Sequence, residues 1–245
     1  MTYCVGMILD RGLVFMSDTR TNAGLDNIST FKKMTVWEQD GDRAITLLSS
    51  GNLATTQAVV SLLDERTKSH DDREPTLLQV PSMFQAARLV ADTLREVIDQ
   101  HRRSGQQADG AFQATLILGG QIAGGPPRLF MIYPEGNFIE AGADTPFFQI
   151  GETKYGRPIL VRAYDPAMSF EAAMKLLLVS FDSTVKANLS VGAPFDYHVY
   201  DTDSLRKGQT GRVGADNPYF LTVSKGWGDA LKSALDSLPE FDKLR

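Results

Sequence analysis

The sequence predicts an α+β fold of two stacked sheets with helices on the outside. Three observations predict it. The apolar segments run as strands, two helices, strands, a helix and then strands, which is not the alternation that builds a parallel sheet. The opening strand is apolar on both faces, with Tyr3, Val5, Met7 and Leu9 on one and Cys4, Gly6 and Ile8 on the other, so both of its faces need covering. The 245 residues, 42% hydrophobic and 22% charged, can bury a sizeable core in one large domain or two small ones.

The elements follow in order. Residues 2–9 and 13–17 are rich in Val, Ile, Leu, Met and aromatics, and Asp10-Arg11-Gly12 between them supplies turn chemistry. Apolar runs at 34–37 and 44–48 flank Gln39-Asp40-Gly41-Asp42, a hairpin signal. Residues 52–67 carry helical spacing in Leu53, Val59, Val60, Leu62 and Leu63. The charged stretch 69–76 reads as a surface loop, and 81–103 as a second helix with Pro81 in its first turn. Strands are predicted at 114–118, 129–133 and 137–141, punctuated by Gly119-Gly120 and by Gly124-Gly125-Pro126-Pro127. A long helix fits 169–188, with Ser169 as cap and Glu171 near its positive end. Residues 195–200 and 219–223 read as strands and 227–238 as a terminal helix.

Composition excludes several function classes. The net charge of −5 argues against a nucleic-acid partner, whose phosphates call for a basic surface. One cysteine rules out an intrachain disulfide framework and fits a reducing cytoplasm. The start MTYCVGMILDRG lacks the features of a signal peptide, and no apolar stretch reaches membrane-span length. There is no GxSxG, HExxH, P-loop or CxxC motif, and the three histidines form no metal pattern. His70 and His101 stand in polar surroundings and read as solvated; His198 reads as a satisfied core or edge residue. No metal and no cofactor is expected.

The chemistry-bearing residues gather at the start of the chain. A threonine hydroxyl is a poor nucleophile without a base. Thr2 follows Met1, and removal of Met1 would free an α-amine, with a reference pKa of about 8, on the same residue. If Asp10-Arg11-Gly12 closes a hairpin, Asp18 falls within about two residues of register with Thr2, roughly 7 Å along the strand. Lys33, opening another apolar strand, could place a cation there with Asp18 as counter-ion, lowering the amine pKa. The run Leu47-Leu48-Ser49-Ser50-Gly51 then breaks into a helix, and the Gly51 N–H at a helix start is a ready oxyanion donor. Taken singly, each feature has a bland structural explanation; their joint order and spacing carry the argument. Cys4, on the same strand face as Thr2, reads as a small buried residue rather than a rival nucleophile.

Thr2, Met16-Ser17-Asp18, Lys32-Lys33 and Ser50-Gly51 together resemble the proteasome beta-subunit pattern. Residues 17–24 and 26–34, with Asn188-Leu189-Ser190-Val191-Gly192, resemble more closely its bacterial branch called Anbu, the ancestral beta subunit. The resemblance covers nearly the whole chain. It implies a four-layer αββα sandwich as a single domain over 1–245, of the N-terminal-nucleophile hydrolase type. It also implies self-assembly into a ring or open spiral, and threonine peptidase or amidohydrolase chemistry on a peptide or small amide. Carried across, Thr2 is nucleophile and base, Asp18 and Lys33 its electrostatic partners, Gly51 the oxyanion donor, and Asp182 and Ser190 the accompanying aspartate and serine. Asp182 also reads as an exposed helical carboxylate. No particular unfoldase partner is indicated.

Two departures stand out. Where the family has Gly-Ser-Gly, this sequence has Gly151-Glu152-Thr153, so Glu152 takes the serine's place or Thr153 substitutes with a shift. A glutamate beside the amine would raise its pKa. The Asp18-to-Lys33 spacing is one residue short of the family's, which leaves Lys32 as a rival. The alternative function is a weakly active or inactive assembly subunit, because one fold type hosts both.

Overall fold

The computed structural model describes residues 2–22, 28–68, 75–103 and 111–241. The chain opens with β1 (Tyr3–Leu9), β2 (Gly12–Asp18), β3 (Arg20–Asn22), β4 (Ile28–Thr30), β5 (Met34–Gln39) and β6 (Arg43–Gly51). Helices α1 (Leu53–Lys68) and α2 (Met83–Arg103) follow. Then come β7 (Ala114–Ile122), β8 (Arg128–Ile132), β9 (Phe138–Glu140) and β10 (Phe147–Gly151). The remainder is α3 (Arg157–Ala163), α4 (Phe170–Ala187), β11 (Phe195–Asp201), β12 (Gln209–Val213) and α5 (Pro218–Asp236).

Two five-stranded antiparallel sheets form the centre, one ordered β10-β1-β2-β11-β12 and the other β5-β6-β7-β8-β9; β3 and β4 pair separately. Strand alternation sorts the core into three layers. Tyr3, Val5, Met7 and Leu9 pack against Leu177 and Phe181 of α4 and Leu160 of α3. Cys4 and, from β2, Leu13 and Phe15 meet Leu48, Ile117 and Leu129 of the other sheet. That second sheet sends Ile45, Leu47, Leu116 and Leu118 outward onto α1 and α2. Helices, sheet, sheet and helices are the four layers the resemblance implies.

Local signals account for most boundaries. Leu9 pairs with Gly12, leaving Asp10-Arg11 as the turn. Ser169 caps α4 by accepting the Ala172 N–H at 3.2 Å. Asn52 accepts the Thr55 N–H at 3.0 Å at the start of α1. The helix expected from Pro81 begins at Met83, because the Ser82 hydroxyl accepts the Gln85 N–H.

Several expectations need correction. Residues 219–223 form no strand; they open α5, which runs unbroken through 227–236. Asn217 caps that helix through Tyr219 and Phe220 N–H, and Pro218 fits its first turn. Phe220 then packs edge-on against Phe195, with ring centroids 5.3 Å apart. Gly119-Gly120 does not end a strand, since β7 continues to Ile122; a side chain on Gly119 would start 2.8 Å from Phe15. The strand β12 and the helix α3 escaped the sequence reading, although Pro158 after Gly156 is a helix-start signal. His101 is half-buried and stacks on Phe112 at 4.9 Å, so it is not simply solvated. His70 and most of the expected loop at 69–76 lie outside the described residues. No described helix is long and apolar enough to cross a membrane.

Candidate active site

The β1–β2 hairpin sets the frame. Cys4 pairs with Ser17, so Tyr3 stands opposite Asp18 and Thr2 lies just beyond. The Tyr3 N–H donates to Asp18 Oδ1 at 3.0 Å. Lys33 Nζ donates to the same oxygen at 2.7 Å and to the Arg20 carbonyl at 2.6 Å. Gly192 N–H approaches Asp18 Oδ2 at 3.4 Å. Lys33 is 6% exposed and Asp18 is fully buried, whereas Lys32 faces solvent. Alternation along the strand lead explains the contrast, since adjacent side chains point oppositely.

Burial pushes the Asp18 carboxyl above the ordinary aspartate range, and the Lys33 ammonium and the Tyr3 and Gly192 amides pull it back. Cys4 is different. Burial first, and then the negative charge of Asp18, push its thiol up, and its Sγ points at the Ser49 carbonyl at 3.7 Å. A thiol held protonated is a poor nucleophile.

Thr2 is 8% exposed. Its carbonyl accepts the Glu152 N–H at 2.7 Å. Gly151, at φ +85°, lies so close that a Cβ there would start 1.9 Å from the Thr2 carbonyl oxygen and 3.1 Å from Ser50 Oγ. The end of β6 therefore meets the end of β10 beside Thr2. Gly51, at φ +117°, turns that strand end toward α1, and a Cβ on it would collide with the Gln113 carbonyl at 2.4 Å. A residue with a side chain would be strained at both glycines.

The loop after α4 closes this side. Asn188 Nδ2 donates to Glu152 Oε2 at 2.9 Å, and Ser190 N–H donates to Asn188 Oδ1 at 2.9 Å. Arg20 Nη1 donates to the Leu189 carbonyl at 2.9 Å. Ser190 is thus carried on a loop tied to Glu152, Arg20 and Asp18. Asp182 is buried within α4, not exposed, and its ion pair is with Lys186 at 3.1 Å on the same helix. The structure thus brings Thr2, Asp18, Lys33 and the Ser50-Gly51 strand end together, with Ser190 on an adjoining loop. Tyr3 was read from the sequence only as a residue of the first strand, and Asn188 and Gly151 only as parts of the segments compared with the family, without a role of their own. Among the described residues no group of three or more His, Cys, Asp or Glu could hold a metal ion.

The arrangement has a hydroxyl near the chain start, a buried cation one residue away through a shared carboxylate, and a strand end opening into a helix. Those parts suit attack on a carbonyl carbon.

Comparisons with known proteins agree with this fold. The family profile described as proteasome subunit matches residues 2–196. An Anbu (ancestral beta-subunit) structure from Yersinia bercovieri is 48% identical, with 100% of each chain covered and a TM-score of 0.91. Anbu from Hyphomicrobium sp. strain MC1 is 52% identical over 98% of this chain and 100% of its own, with a TM-score of 0.90. A structure described as the helical assembly of the Anbu complex from Pseudomonas aeruginosa is 45% identical over 99% of both chains, with a TM-score of 0.92. No curated protein matches the chain.

Proposed function

The chain belongs to the proteasome-subunit family, in its Anbu branch, and from that premise we propose that it is a threonine-type amide hydrolase working as a self-assembled particle. The observation that carries the reading is the Lys33–Asp18 pair. Among the described residues it is the ion pair with both partners buried, and Asp18 also holds the amide of the residue that follows Thr2.

With Met1 removed, the Thr2 α-amine has a reference pKa of about 8, and the Lys33 ammonium lowers it further, so a neutral base is present at physiological pH. The amine takes the Thr2 hydroxyl proton as Oγ1 bonds to the substrate carbonyl carbon. The carbonyl oxygen becomes an oxyanion, and the Gly51 N–H stabilises it. Collapse of the tetrahedral species breaks the C–N bond, and the proton on the Thr2 amine passes to the departing nitrogen. Water then attacks the resulting ester, giving a proton to the amine; the C–Oγ1 bond breaks, Oγ1 takes that proton back from the amine, and the carboxylic acid is released. Asp18 holds Lys33 in place. Ser190, on the loop tied to Glu152 through Asn188, and Asp182, buried in α4, are positioning residues. The substrate class is a peptide or small amide, and the single, buried Cys4 suits a cytoplasmic setting.

Self-assembly is supported by the helical assembly of the Pseudomonas relative and by the exposed apolar face of α5 and the tail after it, including Leu231, Leu235 and Leu238. A second reading, an assembly subunit with little activity, is favoured by one observation: Glu152, which the resemblance puts in the family serine's place unless Thr153 substitutes with a shift, is held by Asn188 beside the Thr2 carbonyl. A glutamate there raises the amine pKa, so less of the amine is in its free, proton-accepting form near neutral pH.

Processing decides between the two readings. In a form that retains Met1 the Thr2 nitrogen is an amide and cannot accept a proton. The Thr2-initiated and Met1-retaining proteins, each verified by intact mass, are assayed on capped peptide amides and esters. Hydrolysis by the first alone supports the enzyme. Equal hydrolysis refutes the amine as base, and none in either supports the assembly subunit.

A further inference from the structure

The peptide that joins Thr2 to Tyr3 is held at both edges. Its carbonyl accepts the Glu152 N–H at 2.7 Å, and its N–H donates to Asp18 Oδ1 at 3.0 Å. A trans peptide points those two groups to opposite sides, so the two bonds lie close to one line. They leave the peptide free to rock about that line. The ladder to β2 does not stop the rocking at this end, because its first pair is Cys4 with Ser17.

The Tyr3 side chain supplies the missing restraint. It stands across the strand on the helix side of the sheet and is fully buried. Its ring packs on Phe181, with centroids 4.5 Å apart. Its hydroxyl belongs to a chain of hydrogen bonds whose direction is fixed. The Gly156 carbonyl can only accept, so Ser180 Oγ donates to it at 3.2 Å. Tyr3 OH then donates to Ser180 Oγ at 2.7 Å, and Gln149 Nε2 donates to Tyr3 OH at 2.6 Å. One phenol is thus gripped from β10, from α4 and from the residue that caps α3. Burial pushes that phenol up to about 12, so it keeps the proton it donates. Gly156 is fitted to the same spot. A Cβ there would collide with the Tyr3 hydroxyl and with Ser180 Oγ, although its φ of −84° suits any residue.

We propose that Tyr3 is a positioning residue for Thr2, its gripped phenol fixing the tilt of the Thr2–Tyr3 peptide and so the distance from the Thr2 amine to the Lys33 ammonium. A phenylalanine would fill the same core, so packing alone does not account for the hydroxyl and its three partners. The inference rests on the reading of Thr2 as nucleophile and base. The charged groups on the elements around Thr2 are Asp18 on β2, Arg20 on β3, Lys33 before β5 and Glu152 after β10. Lys33 is the buried cation of that set, so solvent and salt screen it least. An amine that drifts away from it has a higher pKa.

The test compares Thr2-initiated full chains, verified by intact mass, that carry Tyr3→Phe, Gly156→Ala or Tyr164→Phe. The last is the control, because Tyr164 OH donates to the Ile8 carbonyl at 2.7 Å and so anchors the far end of the same strand. Two quantities are followed against pH: hydrolysis of capped peptide amides and esters, and acylation of the Thr2 amine by acetic anhydride, located by mass spectrometry. Tyr3→Phe and Gly156→Ala should each lose about tenfold in kcat with KM within about twofold of the parent. Their amine pKa should rise by about half a unit or more, which moves the acid limb of both profiles to higher pH. Tyr164→Phe should lower the melting temperature and move neither profile. Parental kcat and amine pKa in both test variants overturn the proposal. An equal shift in Tyr164→Phe also overturns it, because the hydroxyl would then be merely structural. If Tyr3→Phe fails to fold, Gly156→Ala carries the test, since it pushes the phenol without removing it. A parent that hydrolyses nothing removes the hydrolase reading, and the acylation profiles then decide the positioning by themselves.

Discussion

Thr46 Oγ1 meets His198 Nδ1 at 2.6 Å, across the gap between the two sheets. The other ring nitrogen faces the Lys207 carbonyl, which can only accept, so His198 is a neutral ring with its proton on Nε2. Burial pushes its pKa down to about 4. An unfolded histidine titrates near 6.5, so between about pH 6.5 and 4 the unfolded chain binds a proton that the folded chain does not. The stabilising contribution is therefore complete above about pH 6.5 and is lost as pH falls toward 4, by about 3 kcal/mol for the full span. Urea titrations at pH 7 and pH 4.5 should show a smaller fall in stability for His198→Gln than for the parent. An equal fall in both would show that another group controls it.

Lys33→Ala should abolish nearly all hydrolysis, while Lys32→Ala should change it by less than about threefold. Removing Lys33 also leaves Asp18 buried without its counter-ion, at a cost of about 3–5 kcal/mol. Steady-state rates and melting temperatures measured on both variants would separate the two roles. Comparable losses from the two lysines would contradict the assignment.

Gly151→Ala tests the placement of the nucleophile. The new methyl would start 1.9 Å from the Thr2 carbonyl oxygen, on a backbone at φ +85°. Something must shift, and an ångström at the nucleophile costs about a hundredfold in rate. The expected result is a loss of at least tenfold in kcat with assembly unchanged; full activity would mean that Thr2 tolerates displacement.

Thr2→Ala should eliminate amide and ester hydrolysis and leave the assembled state intact, because it removes the proposed nucleophile and no more than a hydroxyl and a methyl group. Leu235→Asp together with Leu238→Asp should do the reverse, splitting the particle while each chain stays folded, since both side chains are more than 60% exposed. Sedimentation velocity and circular dichroism read the two outcomes. Turnover by purified Thr2→Ala would remove the mechanism, and unchanged sedimentation of the double variant would move the interface elsewhere.

Much of this molecule was legible in its residues. The two-faced first strand announced a sheet stacked on another sheet, because Tyr3 and Cys4 both had to be covered. The Asp10-Arg11-Gly12 turn fixed the register that brings Asp18 opposite Tyr3, and alternation separated Lys33 from Lys32. Local pattern misled where tertiary contacts overrode it. Residues 219–223 have β-rich composition, yet Asn217-Pro218 and the burial of Phe220 make them helix. Gly119-Gly120 looks like a break and is instead a flat place in β7 that admits Phe15. The Asn188 bond to Glu152 spans 36 residues and has no local signature at all.

Asp18 is joined to Tyr3 and Lys33, each 15 positions away, and to Gly192, 174 positions away. Contacts that close so long a stretch of chain form late, after local ones. A chain still emerging from the ribosome, or one caught half-assembled, can make the hairpin and the lysine pair but not the third tie. The carboxylate beneath Thr2 acquires its full set of partners only when the C-terminal half has docked. The site proposed around Thr2 is therefore complete only in the finished fold.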